Sequence, residues 1–307
     1  MEWQNKKVLV TGAAGFIGYN LVEKFLQLDA DVVAVDNFST GKSYDVISKL
    51  PLRIIKADVA LEGAIGHLPD EVDYVFHFGA PSSIILFNQD PVYALSSTIC
   101  GLNNMFQYAK DIEAKKLVYP SSGSVYGLAP APQSENSLPK PTNLYGMSKL
   151  VCEKIAVNNF SSVPNLGLRI FAGFGPGEEH KGDYASVVTL FLNSLLQNER
   201  PVIFGDGTQN RDFVYIDDVV NAIVRSAEVS DTNTVVNVGT GKNLSFNDVL
   251  KTINDSLGKS IEPVYVPKPE KYFDYTLAET TKMKQLLGVT ARKPEEGIKS
   301  YISRLLG

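Results

Sequence analysis

Short apolar runs alternate with stretches of helical spacing along the first half of the chain. Lys7–Thr11 (KVLVT) is a continuous apolar run, the pattern of a strand buried on both faces. Ile17–Leu28 follows, with Ile17, Leu21, Phe25 and Leu28 on one side of a predicted helix. Further strands are predicted over Asp31–Asp36, Leu52–Ala57, Tyr74–Phe78, Lys116–Tyr119 and Gly167–Phe171. Longer helices are predicted over Pro91–Lys110 and Tyr145–Phe160. This alternation implies an α/β fold, a doubly wound parallel sheet with helices on both faces.

The texture changes after Phe171. Residues 173–182 read as a loop rich in Gly, Pro and charge. Then come a helix over Tyr184–Gln197, a strand around Val202–Phe204 and a turn at Gly205–Gly207. A strand over Val235–Val238 and a helix over Phe246–Leu257 complete the pattern. The expected division is a dinucleotide-binding domain over 1–171 and a smaller, mainly substrate-binding C-terminal lobe over 172–307, with segments near 211–240 returning to the first.

Composition narrows the class. The 307 residues carry a net charge of −5 spread along the chain, with no stripe of Lys and Arg, which argues against nucleic acid as partner. No apolar stretch reaches the ~20 residues that span a bilayer, so no membrane partner is expected. Cys100 and Cys152 form no CxxC, and His67 and His180 lack partners at metal-ligand spacing. No metal is expected, and a reducing, cytoplasmic setting fits.

Chemistry begins where the first strand meets the first helix. Thr11-Gly12-Ala13-Ala14-Gly15-Phe16-Ile17-Gly18 places three glycines where backbone N–H groups and a helix N-terminus can hold a pyrophosphate. The expected fold is therefore Rossmann-type. Asp36 ends the second strand, where a carboxylate accepts both ribose hydroxyls and repels a 2′-phosphate, favouring NAD over NADP. Gly41 and Lys42 in the same loop leave a phosphate-tolerant pocket open.

Tyr145-Gly146-Met147-Ser148-Lys149 puts a phenol and an ammonium one helical turn apart. A tyrosine titrates near ~10, so it needs a nearby cation to act as a base at neutral pH. Ser121-Ser122-Gly123-Ser124 follows a strand, where an open α/β sheet places its chemistry, and a hydroxyl there can share a proton with Tyr145. Turn formation is the other reading of those serines.

In order, TGAAGFIG, VDNFSTG, FHFGAPSS, SSGSVYG, NLYGMSK, FGPGEEHKG, RDFVYIDDV and NVGTG resemble the extended short-chain dehydrogenase/reductases, specifically the NAD-dependent epimerase/dehydratase family. The resemblance spans nearly the whole chain. It implies a catalytic set of Ser122, Tyr145 and Lys149, and an NAD site using Gly12, Gly15, Phe16, Ile17, Gly18, Asp36, Asn37, Asp58, Val59, Tyr145 and Lys149. It also implies a nucleotide-diphosphate sugar between the lobes, contacted by Ser82, Ser122, Ser124 and Arg211. Arg211 has a second reading, as a salt-bridge partner of Asp212, Asp217 or Asp218. The family's dehydratases carry an Asp-Glu pair where this chain has Gly123-Ser124, which points to an epimerase. Ala172 stands in place of a family Asn, and another is replaced around Thr98 and Ile99.

Within the family, the chain is similar to 4-epimerases of the UDP-glucose or UDP-glucuronate type. Glu179-His180-Lys181-Gly182-Asp183-Tyr184-Ala185-Ser186 is similar to a segment of ADP-heptose 6-epimerases, which makes Lys181 a candidate second acid/base and a substrate contact. A plain surface lysine is the other reading. A nucleotide-sugar oxidoreductase with net hydride transfer is the further alternative. His77 is read as structural or as lining the cofactor site, and Asp217 and Asp218 as helix-start charges. Leu95, Ile99, Leu102 and Phe106 form an apolar face that is either core or, with the Tyr145 helix, a homodimer interface.

Overall fold

The computed structural model describes residues 2–42, 44–230, 233–268 and 275–307. Seven strands form one parallel sheet: β1 (Lys7–Thr11), β2 (Asp31–Asp36), β3 (Arg53–Lys56), β4 (Tyr74–His77), β5 (Lys116–Ser122), β6 (Asn165–Ile170) and β7 (Thr234–Val238). Their spatial order is β7-β6-β5-β4-β1-β2-β3. The chain runs outward from β1 through β2 to β3, then crosses to the other side of β1 to form β4. The order therefore reverses between β1 and β4, and a crevice opens beyond their carboxyl ends.

Successive side chains of a strand face opposite ways, and the core divides accordingly. Val8, Val10, Val32, Ala34 and Phe76 join one cluster, with Phe25 and Val220. Leu9, Val33, Val35 and Val75 join another, with Leu102, Phe106 and Cys152. Two-sided burial explains why these strands read as unbroken apolar runs. The first face is covered by α1 (Phe16–Gln27), the second by α2 (Pro91–Asp111) and α3 (Leu144–Asn159), which pack on each other. Pro91 at the start of α2 lacks the N–H that would go unpaired there, and Asp90 caps that helix by accepting the N–H of Tyr93 at 3.0 Å.

Beyond β6 the chain forms α4 (Val187–Leu196), α5 (Ile216–Glu228), α6 (Phe246–Leu257) and α7 (Pro294–Leu306), with short strand pairs between them. Ala172–Phe174 pairs with Phe213–Tyr215, and Val202–Phe204 with Val264–Val266. Asp217 and Asp218 lie in the first turn of α5, where Asp218 forms an ion pair with Arg292 at 3.0 Å and Asp217 reaches Arg304 at 3.3 Å. Residues 179–184, expected in part as loop and in part as helix, form two 3₁₀ turns separated by a kink at Gly182, where φ is +51°. Among the described residues, no helix is long and apolar enough to cross a membrane.

Candidate active site

The loop between β1 and α1 is shaped by two glycines. Gly12 has φ of +66°, and a Cβ there would lie 2.4 Å from the carbonyl oxygen of Phe78 after β4. A Cβ on Gly18 would lie 2.0 Å from the Gly12 carbonyl oxygen, so only glycine lets α1 sit this close to the loop. α1 starts at Gly15 without a side-chain cap, leaving its N-terminal partial charge directed at the crevice. Gly12 and Gly15 line that crevice, with Asp36, Asn37, Asp58, Val59, Gly79 and Tyr93 further along it. Phe16, Ile17 and Gly18 do not line it with side chains. Phe16 is buried, Ile17 packs toward the core, and Gly18 lies under Gly12.

Asp36 is tied to this loop. Its Oδ2 accepts the Ala14 N–H at 2.8 Å and its Oδ1 the Phe38 N–H at 2.7 Å. Burial raises its pKa from the ordinary carboxylate value, and the two N–H donors oppose that shift. Asn37 donates to Asp58 at 3.0 Å, joining the loops after β2 and β3. Val59 is buried, and its carbonyl accepts a hydrogen bond from Asn104 at 3.0 Å. Lys42 turns elsewhere, with Nζ 4.6 Å from the Tyr19 ring centre and 3.7 Å from Glu179. A glycine cradle at an uncapped helix end, with the carboxylate that ends β2 lining the same cleft, fits a dinucleotide.

β5 ends at Ser122, whose Oγ accepts the Ser124 N–H at 3.1 Å. Asn143 caps α3 by accepting the Gly146 N–H at 2.8 Å, which sets Tyr145 in the first turn. Tyr145 is half-buried, with the Ser122 hydroxyl close enough to act on its phenol. Lys149 is 4% exposed, with Nζ 5.8 Å from the Tyr145 ring centre. Burial raises the Tyr145 pKa, which the nearby Ser122 hydroxyl opposes, and burial lowers that of Lys149. Serine, phenol and ammonium are thus gathered between the end of β5 and the first turns of α3, beside the short helix Ile84–Gln89, whose Leu86 and Gln89 line the crevice. His77 is fully enclosed, its Nδ1 2.8 Å from Thr11 Oγ1, and burial holds its pKa down to about 3. Thr11 Oγ1 in turn accepts the Gly79 N–H at 3.1 Å, so His77 braces the crevice wall.

The expected substrate contacts are more dispersed. Ser82 is exposed on the loop after β4, and its neighbour Ser83 caps a short helix, Ile84–Gln89. Ser124 sits in the turn after Ser122. Arg211 donates to the Asn210 carbonyl at 2.8 Å and stacks at 5.6 Å from the Phe246 ring. Asp212 instead accepts backbone N–H groups of Thr240, Gly241 and Ala278. Lys181 bonds Glu178 at 2.8 Å and lies 4.1 Å from the Phe16 ring centre, against the glycine loop.

Sequence reasoning missed Phe87, whose buried ring packs edge-on against Tyr145 at 5.5 Å. It also missed Glu178, 1% exposed, which gathers Lys181, the Ser186 N–H and the Thr189 hydroxyl. Nothing local marks Phe87, which sits in a helix too short to show periodicity. A carboxylate three residues before Lys181 was a readable signal for Glu178.

Relatives of known kind share this arrangement of elements. A UDP-glucose 4-epimerase from Mycolicibacterium smegmatis is 32% identical over 293 residues, 92% of each chain. The structure of a UDP-glucose 4-epimerase from Thermotoga maritima, solved with UDP-glucose, has a TM-score of 0.89 at 29% identity, covering 98% of this chain and 99% of that one. That of the ADP-L-glycero-D-manno-heptose-6-epimerase from Helicobacter pylori has a TM-score of 0.88 at 30% identity, covering 99% and 97%. Residues 8–239, from the first sheet strand through the last, match the NAD dependent epimerase/dehydratase family. The chain belongs to that family, and NAD is its cofactor.

Proposed function

We propose that this chain is an NAD-dependent nucleotide-sugar epimerase that inverts C4 of a UDP-hexose of the UDP-glucose or UDP-glucuronate type. The observation that carries the reading is the grouping of Ser122, Tyr145 and Lys149, with Lys149 Nζ 5.8 Å from the Tyr145 ring centre and Phe87, from the short helix that lines the dinucleotide crevice, packed on the phenol. Gly123 and Ser124 offer no carboxylate for eliminating water, which separates the site from a dehydratase.

Bound NAD supplies a hydride acceptor that is restored within each turnover. Tyr145 acts as base toward the sugar hydroxyl, and Ser122 bonds that hydroxyl and steadies the phenolic oxygen. The Lys149 ammonium favours the ionised phenol. Once the keto sugar has turned over in the cleft, Tyr145 returns the proton to the sugar oxygen, and the hydride that bound NAD would give back would reach the opposite face. Arg211 binds the diphosphate by charge-assisted hydrogen bonds, and Ser82 and Ser124 contact the sugar. Asp36 and Asn37 hold the adenosine ribose, with Asp58 and Val59 beyond.

A second reading, a nucleotide-heptose 6-epimerase with Lys181 as second acid/base, draws on the segment 179–186. It requires Lys181 to leave Glu178, 2.8 Å away, when substrate enters. The discriminating experiment incubates the protein with UDP-glucose, UDP-glucuronate and ADP-heptose and follows stereochemistry by NMR. Inversion at C4 of a UDP-hexose supports the first reading. Inversion of ADP-heptose alone supports the second, and steady consumption of added NAD would point to a net oxidoreductase.

The active form is read as a homodimer joined through α2 and α3. Met147 and Val151 of α3 are exposed, whereas Leu102 and Phe106 of α2 belong to the core. Cys100 and Cys152 are both free thiols, in keeping with a cytoplasmic enzyme.

A further inference from the structure

Behind the serine, tyrosine and lysine lies a buried polar cluster that touches neither the crevice nor the solvent. Arg169 of β6 donates from Nε to Glu153 Oε1 at 2.8 Å and from Nη2 to Oε2 at 2.7 Å, a bidentate pair. Its Nη1 donates to the Tyr126 hydroxyl at 2.9 Å, which donates to Asn237 Oδ1 of β7 at 2.6 Å. Ser121, the residue before Ser122 on β5, donates its hydroxyl to Glu153 Oε1. Glu153 is 5% exposed, Arg169 4% and Ser121 2%.

Resting on the reading of Ser122, Tyr145 and Lys149 as the catalytic set, we propose that Glu153, Arg169 and Ser121 are positioning residues that fix the height of α3 against the ends of β5 and β6. Glu153 stands one turn beyond Lys149 and two beyond Tyr145 on the same helix. Ser121 is covalently next to Ser122. A single carboxylate therefore bonds the strand that carries the hydroxyl and the helix that carries the phenol. A buried ion pair adds little net stability over apolar packing of the same volume. Its directional bonds do what apolar packing does not: they forbid sliding along the helix axis. A displacement of about 1 Å between reacting groups costs on the order of a hundredfold in rate.

The test compares wild type, Ser121→Ala and Glu153→Gln on the UDP-hexose that wild type epimerises. Ser121→Ala is expected to lower kcat about tenfold and Glu153→Gln about a hundredfold, with KM and bound NAD unchanged. The acidic limb of the kcat–pH profile moves to higher pH, because a loosened Ser122 contact no longer lowers the phenol pKa. Ser121→Ala keeps the ion pair and the fold, so it decides the matter should Glu153→Gln fail to fold. Wild-type kcat and pH profile in Ser121→Ala would overturn the proposal, as would a loss carried by KM or by departure of NAD. If wild type epimerises none of the sugars, the functional reading fails by itself. The positioning proposal is then read from the ionisation of Tyr145, followed by NMR of ¹³C-labelled tyrosine and assigned with Tyr145→Phe. An upward shift in Ser121→Ala supports it, and no shift overturns it.

Discussion

The carboxylate of Asp36 holds the backbone N–H of Ala14 at 2.8 Å, so the proposed ribose acceptor and the glycine loop are one mechanical unit. Asp36→Ala removes the proposed acceptor for two ribose hydroxyls and leaves the Ala14 and Phe38 donors unpaired. Hydrogen bonds to a charged group contribute about 1.5–3 kcal/mol each. The variant is expected to bind NAD at least about a hundredfold more weakly and to purify without it. Calorimetric titration and chromatography of dinucleotide released by heat check both. Full retention of NAD would place the ribose elsewhere.

Tyr145→Phe removes the oxygen proposed to transfer the proton and leaves the glycine loop and Asp36 untouched. Loss of a general acid/base typically costs 10²–10⁴-fold, so kcat for epimerisation should fall by about that factor with bound NAD retained. NMR-monitored turnover and NAD content, measured on the same preparation, separate chemistry from cofactor loss. Undiminished turnover would show the base to be another group.

His77 gives a pH signature of stability. Burial holds its pKa near about 3, below the ordinary value of 6.5. As pH falls below 6.5 the unfolded chain takes up a proton that the native ring refuses. The stability this group contributes is therefore whole above pH 6.5 and is lost as pH falls toward 3. Relative to His77→Asn, wild type should lose about 1.4 kcal/mol of unfolding free energy per pH unit below 6.5. Urea titrations of both proteins between pH 7.5 and 5 measure this. A pH-independent difference would mean that the ring ionises freely in the native state.

The exposed apolar residues of α3 give the dimer reading a direct check. Met147 is 44% exposed and Val151 42%, on the outer face of a helix whose inner face meets the sheet. Val151→Asp puts a charge into the proposed interface without touching Tyr145 or Lys149. Light scattering should give twice the chain mass for wild type and the single-chain mass for the variant, with secondary structure unchanged by circular dichroism. A wild-type monomer would remove the interface from the account.

Much of the crevice was legible because its signals are local. β1 and β2 lie where their apolar runs predict them, and the glycines and the Tyr145–Lys149 spacing sit within one loop and one helical turn. β5 was read only to Tyr119 because Pro120-Ser121-Ser122 looks like a breaker, yet the strand runs through all three. The Glu153–Arg169 pair joins a helix to a strand, and no spacing in sequence announces it. Lys181 reads from sequence either as a second acid/base facing substrate or as a plain surface lysine. Its partner Glu178 looks like one more loop charge until burial is known. The helix Pro294–Leu306 carries Pro at its start and Ile298, Tyr301 and Ile302 on its inner side, a readable signal in a stretch left unassigned.

The sheet also sets a timetable for synthesis. All six residues of β6 are buried, and β6 pairs on its outer side with β7, whose first residue, Thr234, follows Ile170 only after the α4 and α5 segments. While a ribosome is still making those segments, β6 is an unpaired edge with open hydrogen-bonding groups, able to recruit a strand from another nascent chain. A gene fragment ending at residue 171 would hold that edge open permanently and should accumulate as insoluble aggregate rather than as a free-standing dinucleotide binder.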